Sequence, residues 1–261
     1  REHDKLNNDE ADITAIKTAI DSGIIHIDTA ELYANGYTET LVNKAIRSYD
    51  RGKLFIVSKV QPEHFHYDDI INSCQKSIER LGVIYLDLYL LHWYNEDISL
   101  KESIEALDEL VKRGLVKHIG VSNFTKEHLA EAQEYSENKI VCNQVHYNLI
   151  FREPERTGLL EYCQENDVFL TAWRPVEKGA LSESVPIIQE MCDKYQKTPV
   201  QIAINWLISQ KNVLTLSKTR HKEHFQENLG SISWTMESTD IERLRNEYPN
   251  QQDISDSVPL G

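Results

Sequence analysis

Asp28 and Tyr33 stand five residues apart, just after a short apolar run at residues 24–27. Lys59 ends a second such run and His92 a third. Short β-branched runs bounded by turn residues read as buried strands. Asp28 is therefore expected where a strand ends, with Tyr33 on the loop or first helical turn beyond it. A carboxylate and a phenol held there are suited to chemistry, because functional groups concentrate where rigid elements hand over to loops. Each residue also has a plainer reading. Asp28 and Lys59 serve as a structural ion pair, His92 is a satisfied core histidine, and Tyr33 is a packed loop aromatic. Singly, the plainer readings win. Four such groups facing one mouth argue for a site instead.

The elements that must position them are strands and helices in alternation. Strands are read at residues 24–28, 54–59, 86–92, 118–122, 140–145, 168–173 and 213–216. Helical spacing lies between them. Ile13, Ile16 and Ile20 lead to Gly23, and Leu41, Val42, Ala45 and Ile46 mark the next helix. Ile70, Ile71, Cys74, Ile78 and Leu81 mark one closed by Gly82, and Ile104, Leu107, Leu110 and Val111 one that stops at Gly114. Further helices are read from Thr125 through Leu129, at Pro154, at 187–195, from Thr198-Pro199, near 225–229 and toward the end. Ser99 with Glu102, and Thr239 with Glu242, have the spacing of capping boxes.

Such alternation implies parallel strands with helical crossovers. A doubly wound open sheet and a (β/α)8 TIM barrel both fit. The former normally carries a Gly-rich phosphate loop after an early strand. No G-x-G-x-x-G occurs, which favours the barrel. Seven strands are read where a barrel has eight. The chain opens directly into a helix, so the first strand is expected to be missing from these residues. No linker, repeat or low-complexity tract interrupts the chain, so residues 1–261 are read as a single domain.

Barrel active sites lie at the C-terminal ends of the strands. Here those ends read Asp28, Lys59, His92, Ser122-Asn123, Gln144, Trp173 and Ser217-Lys218. A full ring of polar or aromatic endings describes a polar pocket at one mouth.

A net charge of −14 argues against nucleic acid or an anionic membrane as partner. No apolar run is long enough to span a bilayer. Four widely spaced cysteines without a C-x-x-C pair read as a reduced, cytoplasmic protein. His64, His66, Asp68 and Asp69 lack ligand spacing, so no metal site is expected, and the segment is read as a loop over the pocket.

Six stretches now carry a resemblance. They are H-I-D-T-A-E-L-Y at 26–33, V-S-K-V around Lys59, L-L-H-W at 90–93, G-V-S-N-F at 120–124, N-Q-V at 143–145, and S-K-T at 217–219 with E-N at 227–228. In order and spacing the chain resembles the aldo-keto reductase family. The resemblance implies a (β/α)8 barrel that binds an extended nicotinamide cofactor without a Rossmann loop. It implies an oxidoreductase that reduces aldehydes or ketones to alcohols.

The family's catalytic four fall on Asp28, Tyr33, Lys59 and His92. Carbonyl reduction needs hydride at carbon, from the cofactor, and a proton at oxygen. A free tyrosine titrates near pH 10. A neighbouring Lys59 ammonium favours the phenolate and makes Tyr33 a better acid. Asp28 would fix Lys59, and His92 would orient the substrate oxygen. Trp93 is read as a pocket wall or, equally, as an ordinary core aromatic. The resemblance places the nicotinamide amide on Ser122, Asn123 and Gln144. Trp173 replaces the tyrosine that many members stack on the ring. Arg174 replaces a common serine and is in reach of the pyrophosphate.

The basic run from Lys218 follows the last strand, where barrels often bind phosphate. By resemblance, Ser217, Lys218 and Thr219 belong to the cofactor site, with Lys218 and Thr219 on the adenosine 2′-phosphate. Glu227 and Asn228 match adenine contacts. His224 stands where arginine is common and is only partly charged near neutral pH. Arg220 compensates. The cofactor is therefore read as NADP(H), with NAD(H) as the alternative. The partner is a small carbonyl or alcohol substrate, and the chain a monomer or small homo-oligomer. A competing function is that of a cofactor-binding regulatory or redox-sensing subunit of the same fold. A third is a barrel that only binds a small anion at 218–224. Turnover of aldehydes with NADPH discriminates among the three.

Overall fold

The computed structural model describes residues 8–179 and 185–260, apart from the Lys178 side chain. The chain packs as two compact units that divide after Cys142.

The first unit alternates as read. Helix α1 (Asp9–Asp21) precedes strand β1 (His26–Asp28), followed by α2 (Tyr37–Ile46), β2 (Phe55–Val60) and α3 (Tyr67–Leu81). Then come β3 (Leu86–Leu91), α4 (Leu100–Lys112), β4 (Val116–Ser122) and α5 (Lys126–Tyr135). The strands pair in parallel, with Asp28 opposite Val57, Lys59 opposite Leu90, and Leu90 opposite Gly120. Parallel pairing in this register puts the C-terminal ends of β1 to β4 on one edge. There Asp28 and Ser122 end their strands, His92 follows β3, and Lys59 stands one residue before the end of β2, which runs on to Val60 rather than stopping at Lys59. Every residue of β3 is buried, and β2 is buried after Phe55. Such runs are what a parallel sheet covered on both faces requires. Gly120 is needed for close packing, since a Cβ there would lie 2.6 Å from Leu90 Cδ2 and 2.8 Å from the Cys142 carbonyl.

Strand β5 (Ile140–His146) runs across the division. The second unit continues with α6 (Glu153–Arg156), α7 (Leu159–Glu165), β6 (Phe169–Trp173), α8 (Pro186–Tyr195) and α9 (Pro199–Ile208). It closes with β7 (Val213–Leu216), α10 (Lys222–Leu229) and α11 (Ser238–Glu247). β6 and β7 are parallel, with Trp173 opposite Leu216. The seven described strands follow one another in chain order in the sheet. In this unit Trp206 is fully buried, and its indole N–H donates to the Ile241 carbonyl at 3.1 Å. Among the described residues, no helix is long and apolar enough to cross a membrane.

Three local expectations are corrected. Ser99 caps α4 by accepting from Glu102 N, but the Glu102 carboxylate accepts from Tyr67 N at 2.9 Å, so only half of that box forms. The Thr239/Glu242 box does not form. Helix α11 starts two residues earlier, after Glu237, and the Glu242 carboxylate pairs with Arg245. The single helix read at Pro154 is two, broken at Gly158, whose φ of 73° belongs to the left-handed region. A full box forms instead at α9, between Thr198 and Gln201.

Candidate active site

In the first unit, Lys59 is completely buried, and its ammonium donates to Asp28 Oδ1 at 2.5 Å and to the Thr29 carbonyl at 2.9 Å. Local folding sets this up. Beyond β1 the chain keeps pairing with β2, as Thr29 N donates to the Val57 carbonyl and Glu31 N to the Lys59 carbonyl. A tight turn, Tyr33 N to the Ala30 carbonyl, then carries the phenol back over the lysine. Lys59 Nζ lies 5.1 Å from the centre of the Tyr33 ring. His92 extends β3, its N–H donating to the Val60 carbonyl. Its imidazole meets Tyr33 edge-on at 5.7 Å and Trp93 at 4.8 Å. Asn123, at φ 57°, donates through Nδ2 to the His92 carbonyl at 3.1 Å and to Ser122 Oγ at 3.0 Å.

The electrostatics follow from burial. Burial pushes the Lys59 ammonium down. The Asp28 carboxylate, and then Tyr33, pull it up further, so the net direction is up. His92 is pushed down to about 3 by burial first and by the Lys59 charge second, against Asp28. It is therefore a neutral imidazole near pH 7, with one donor and one acceptor nitrogen. Its buried Nδ1 has no hydrogen-bond partner among the described residues. The arrangement offers a phenol over a permanent cation, beside a neutral ring able to hydrogen-bond a substrate oxygen.

Glu31 was not anticipated. It is buried, and its Oε1 accepts from Gln61 N at 2.8 Å and lies 3.1 Å from His64 Nδ1. The turn bearing Tyr33 is thus tied to the end of β2 by main chain and side chain together. The acid within D-T-A-E-L-Y was the only available signal. His66 instead faces Glu102 at 3.3 Å, so His64 and His66 share no centre. The segment is also not an open loop. Residues Pro62–His64 form a 3-10 turn, Phe65 is buried, and α3 begins at Tyr67.

In the second unit, Gln144 is buried on β5 and Trp173 ends β6. Trp173 stacks on His146 at 4.2 Å with 7° between planes, and the Arg174 guanidinium lies 5.2 Å from its ring centre. Arg174 Nη1 is 3.3 Å from Asp256 Oδ1 and 3.8 Å from Glu177 Oε1. Ser217 Oγ accepts from Asn228 Nδ2 at 3.0 Å. Lys218, Arg220 and His224 are exposed. Thr219 Oγ1 accepts from His221 N at 3.0 Å, and the His221 and His224 rings meet edge-on at 5.2 Å. The Glu227 carbonyl accepts from Gln201 Nε2. Helix α10 begins at Lys222 with no side-chain cap from His221. Lys218 and Arg220 thus precede in sequence an uncapped helix N-terminus, a kind of end that suits anions.

A model of the Aldo/keto reductase family matches residues 1–248. The chain is 33% identical over 242 residues to the glyoxal reductase of Bacillus subtilis, covering 92% of this chain and 84% of that one. It is 31% identical over 245 residues to the methylglyoxal reductase YeaE of Escherichia coli, covering 92% and 85%. Among solved structures, the thermostable aldo-keto reductase Tm1743 with the inhibitor epalrestat superposes with a TM-score of 0.90 at 42% identity, covering 94% and 89%. An aldo/keto reductase from Klebsiella pneumoniae with NADP and acetate gives 0.85 at 30% identity, covering 97% and 90%.

Proposed function

Because this chain belongs to the aldo/keto reductase family, and so to the (β/α)8 oxidoreductases, we propose that it reduces small aldehydes or ketones with NADPH, Tyr33 giving the proton. The observation that carries this reading is the fully buried Lys59 held between Asp28 and Tyr33. A buried ammonium with a single carboxylate partner favours negative charge on any acid beside it. In this site that acid is a phenol. As Tyr33 releases its proton to the substrate oxygen, Lys59 stabilises the phenolate left behind. Asp28 keeps Lys59 charged and in place. His92, neutral at physiological pH, orients the carbonyl oxygen by a hydrogen bond. Trp93, against His92, forms part of the substrate wall.

The nicotinamide cofactor, when bound, supplies the hydride. In the first unit, Ser122 and Asn123 are proposed as cofactor contacts, and in the second Gln144 is. Trp173 supports the ring by stacking. Ser217, Lys218, Thr219, Arg220 and His224 serve the 2′-phosphate end, with Glu227 and Asn228 at the adenine. Arg174 is already neutralised by Glu177 and Asp256, so its part is to shape the Trp173 platform rather than to bind pyrophosphate. Residues 1–261 act as one catalytic domain in this reading.

The experiment is NADPH consumption with a panel that includes methylglyoxal, glyoxal and larger aldehydes. Turnover of at least one carbonyl is expected. Tight NADPH binding with no turnover of any member would overturn the catalytic reading.

A further inference from the structure

His146 ends β5, is almost fully buried, and has no part in the chemistry described above. Its ring is held between two others, Trp173 at 4.2 Å and Phe151 at 4.4 Å. Its edge is held as well. Nε2 lies 2.8 Å from Glu177 Oε2, and Nδ1 lies 2.8 Å from Ser255 Oγ. A carboxylate only accepts, so Nε2 carries the proton and Nδ1 accepts from the Ser255 hydroxyl. Burial, outweighing the pull of Glu177, keeps this ring neutral.

Both partners reach further. Glu177 Oε2 also accepts from Asn148 Nδ2 at 3.0 Å, and the same amide donates to the Arg174 carbonyl at 2.8 Å. Ser255 Oγ accepts from Ser257 N and Val258 N, while Ser255 N donates to Glu153 Oε2 at 2.9 Å. The segment after β6 and the C-terminal segment are thus both fastened at one imidazole.

His146, Glu177 and Asp256 also have donor atoms within 4.8 Å of one another. A metal centre is nevertheless a poor fit. Glu177 faces Nε2 whereas Asp256 faces Nδ1, at 3.9 Å, and one imidazole does not give both nitrogens to one ion. Arg174 already supplies the cation between the two carboxylates.

We propose that His146 is a positioning residue for the cofactor platform: it sets the plane of Trp173 and couples that plane to the C-terminal segment through Ser255. The proposal rests on the reading that Trp173 stacks on the nicotinamide. The substrate-side chemistry at Tyr33 and Lys59 is left unchanged by it, so the effect falls on cofactor affinity rather than on the chemical step.

The test uses the full chain and NADPH, with calorimetry for binding and steady-state rates for the KM and kcat split. His146→Phe keeps a flat ring but loses both edge hydrogen bonds. It should weaken NADPH about fivefold, raise the KM for NADPH in step, and hold kcat within about twofold at saturating cofactor. A non-specific protease should cut residues 253–260 faster. Ser255→Ala should do both to a smaller degree, and Ser255→Thr, which keeps the hydroxyl, should restore parent behaviour. Should His146→Phe lose its circular dichroism signal, the two Ser255 variants decide alone. Parent affinity in His146→Phe and Ser255→Ala overturns the proposal, as does faster tail cleavage without any change in affinity. Failure of Ser255→Thr to restore overturns the coupling. Trp173→Ala separates the two readings. If it weakens NADPH while His146→Phe does not, the inference falls alone. If it too binds at parent affinity, the platform reading falls and the inference with it.

Discussion

Lys59 has no solvent exposure; its carboxylate partner and the imidazole beside it sit at strand ends, and the phenol above it on the turn that follows β1. Lys218 and Arg220 stand in solvent on the connection between β7 and α10. The two regions are proposed to serve one reaction, yet they are built oppositely. Around Lys59 the fold sets geometry, protonation and stability together, so a substitution there disturbs all three. Around Lys218 the charges are hydrated and screened, so a substitution tunes affinity and leaves the fold alone. Variants at the two places should differ in kind as well as in size.

The largest effect is expected at the phenol. Tyr33→Phe keeps the ring for packing against His92 and removes the proton. Turnover should fall roughly 10²–10⁴-fold, the usual worth of a positioned general acid, with NADPH affinity nearly kept. Lys59→Met should behave similarly. Rates within twofold of the parent would remove Tyr33 from the mechanism. The contrast sharpens if neither variant alters the ratio of NADPH to NADH affinity.

Next comes the partner of the buried ammonium. Asp28→Ala leaves Lys59 charged and unpaired in the interior, which typically costs about 3–5 kcal/mol. Urea denaturation reads this directly. The pH dependence has a definite sign. The folded-state value of Lys59 lies above its ordinary 10.5, so its contribution is complete below that value and is lost as pH rises through the raised one. The parent should lose stability in that alkaline window, and Asp28→Ala should lose less there. A variant as stable as the parent would show that the pair is not what holds this end of β1 and β2.

How far the site could be read from the chain depends on where its partners lie. Asp28, Lys59 and His92 each end an apolar run, and parallel strands place such endings on one edge. Strand endings therefore put them among the candidates, and the family resemblance singled them out with Tyr33 and supplied the proposed roles. Glu31 and His146 escaped because what defines them is distant in sequence: Gln61 N and His64 for the first, Glu177 and Ser255 for the second. The box at Ser99 is half lost for the same reason. Glu102 has the right spacing from Ser99, but Tyr67 N competes for its carboxylate and wins. Thr198 and Gln201 have the same local spacing and meet no distant competitor among the described residues, so their box forms.

Glu31→Ala tests whether a hidden anchor matters. It removes the carboxylate that ties the Tyr33 turn to Gln61 N and leaves the four side chains of the proposed mechanism in place. Small displacements of reacting groups can cost up to about 10²-fold, and a loss of about tenfold in kcat is expected here, with the NADPH dissociation constant kept. An unchanged kcat would mean that the main-chain pairing of Glu31 N with Lys59 suffices.

His92 makes a smaller, pH-dependent contribution. Its folded-state value of about 3 lies below the ordinary 6.5, so the unfolded chain binds the extra proton first. Stability is complete above the ordinary value and is lost as pH falls from there toward about 3. His92→Gln, neutral throughout, should flatten the acid limb of the stability profile. The parent rate should show no titration of this ring between about pH 5 and 8, because it stays neutral over that range. A rate step near the ordinary histidine value that disappears in His92→Gln would contradict the buried, neutral assignment.

The smallest effect belongs to the exposed end. His224 lies in the first turns of α10, exposed, with its ring against His221. An arginine there would carry a permanent charge and a planar fork of donors, which matches a phosphate better than imidazole does. Only NADPH offers the 2′-phosphate, so the gain should appear for that cofactor alone. His224→Arg is expected to tighten NADPH about fivefold and to leave NADH within about twofold, since the new contact is a single charge-assisted hydrogen bond in solvent. Because the site is exposed, raising the salt from about 0.05 to 0.5 M should erase most of the gain. The melting temperature should not move, in contrast to that of Asp28→Ala. Dissociation constants for both cofactors at two ionic strengths provide the check. If the variant tightens NADH as much as NADPH, this segment does not read the 2′-phosphate. If the gain survives high salt, the segment is not screened as its exposure requires, and the difference drawn between the two regions fails at its exposed end.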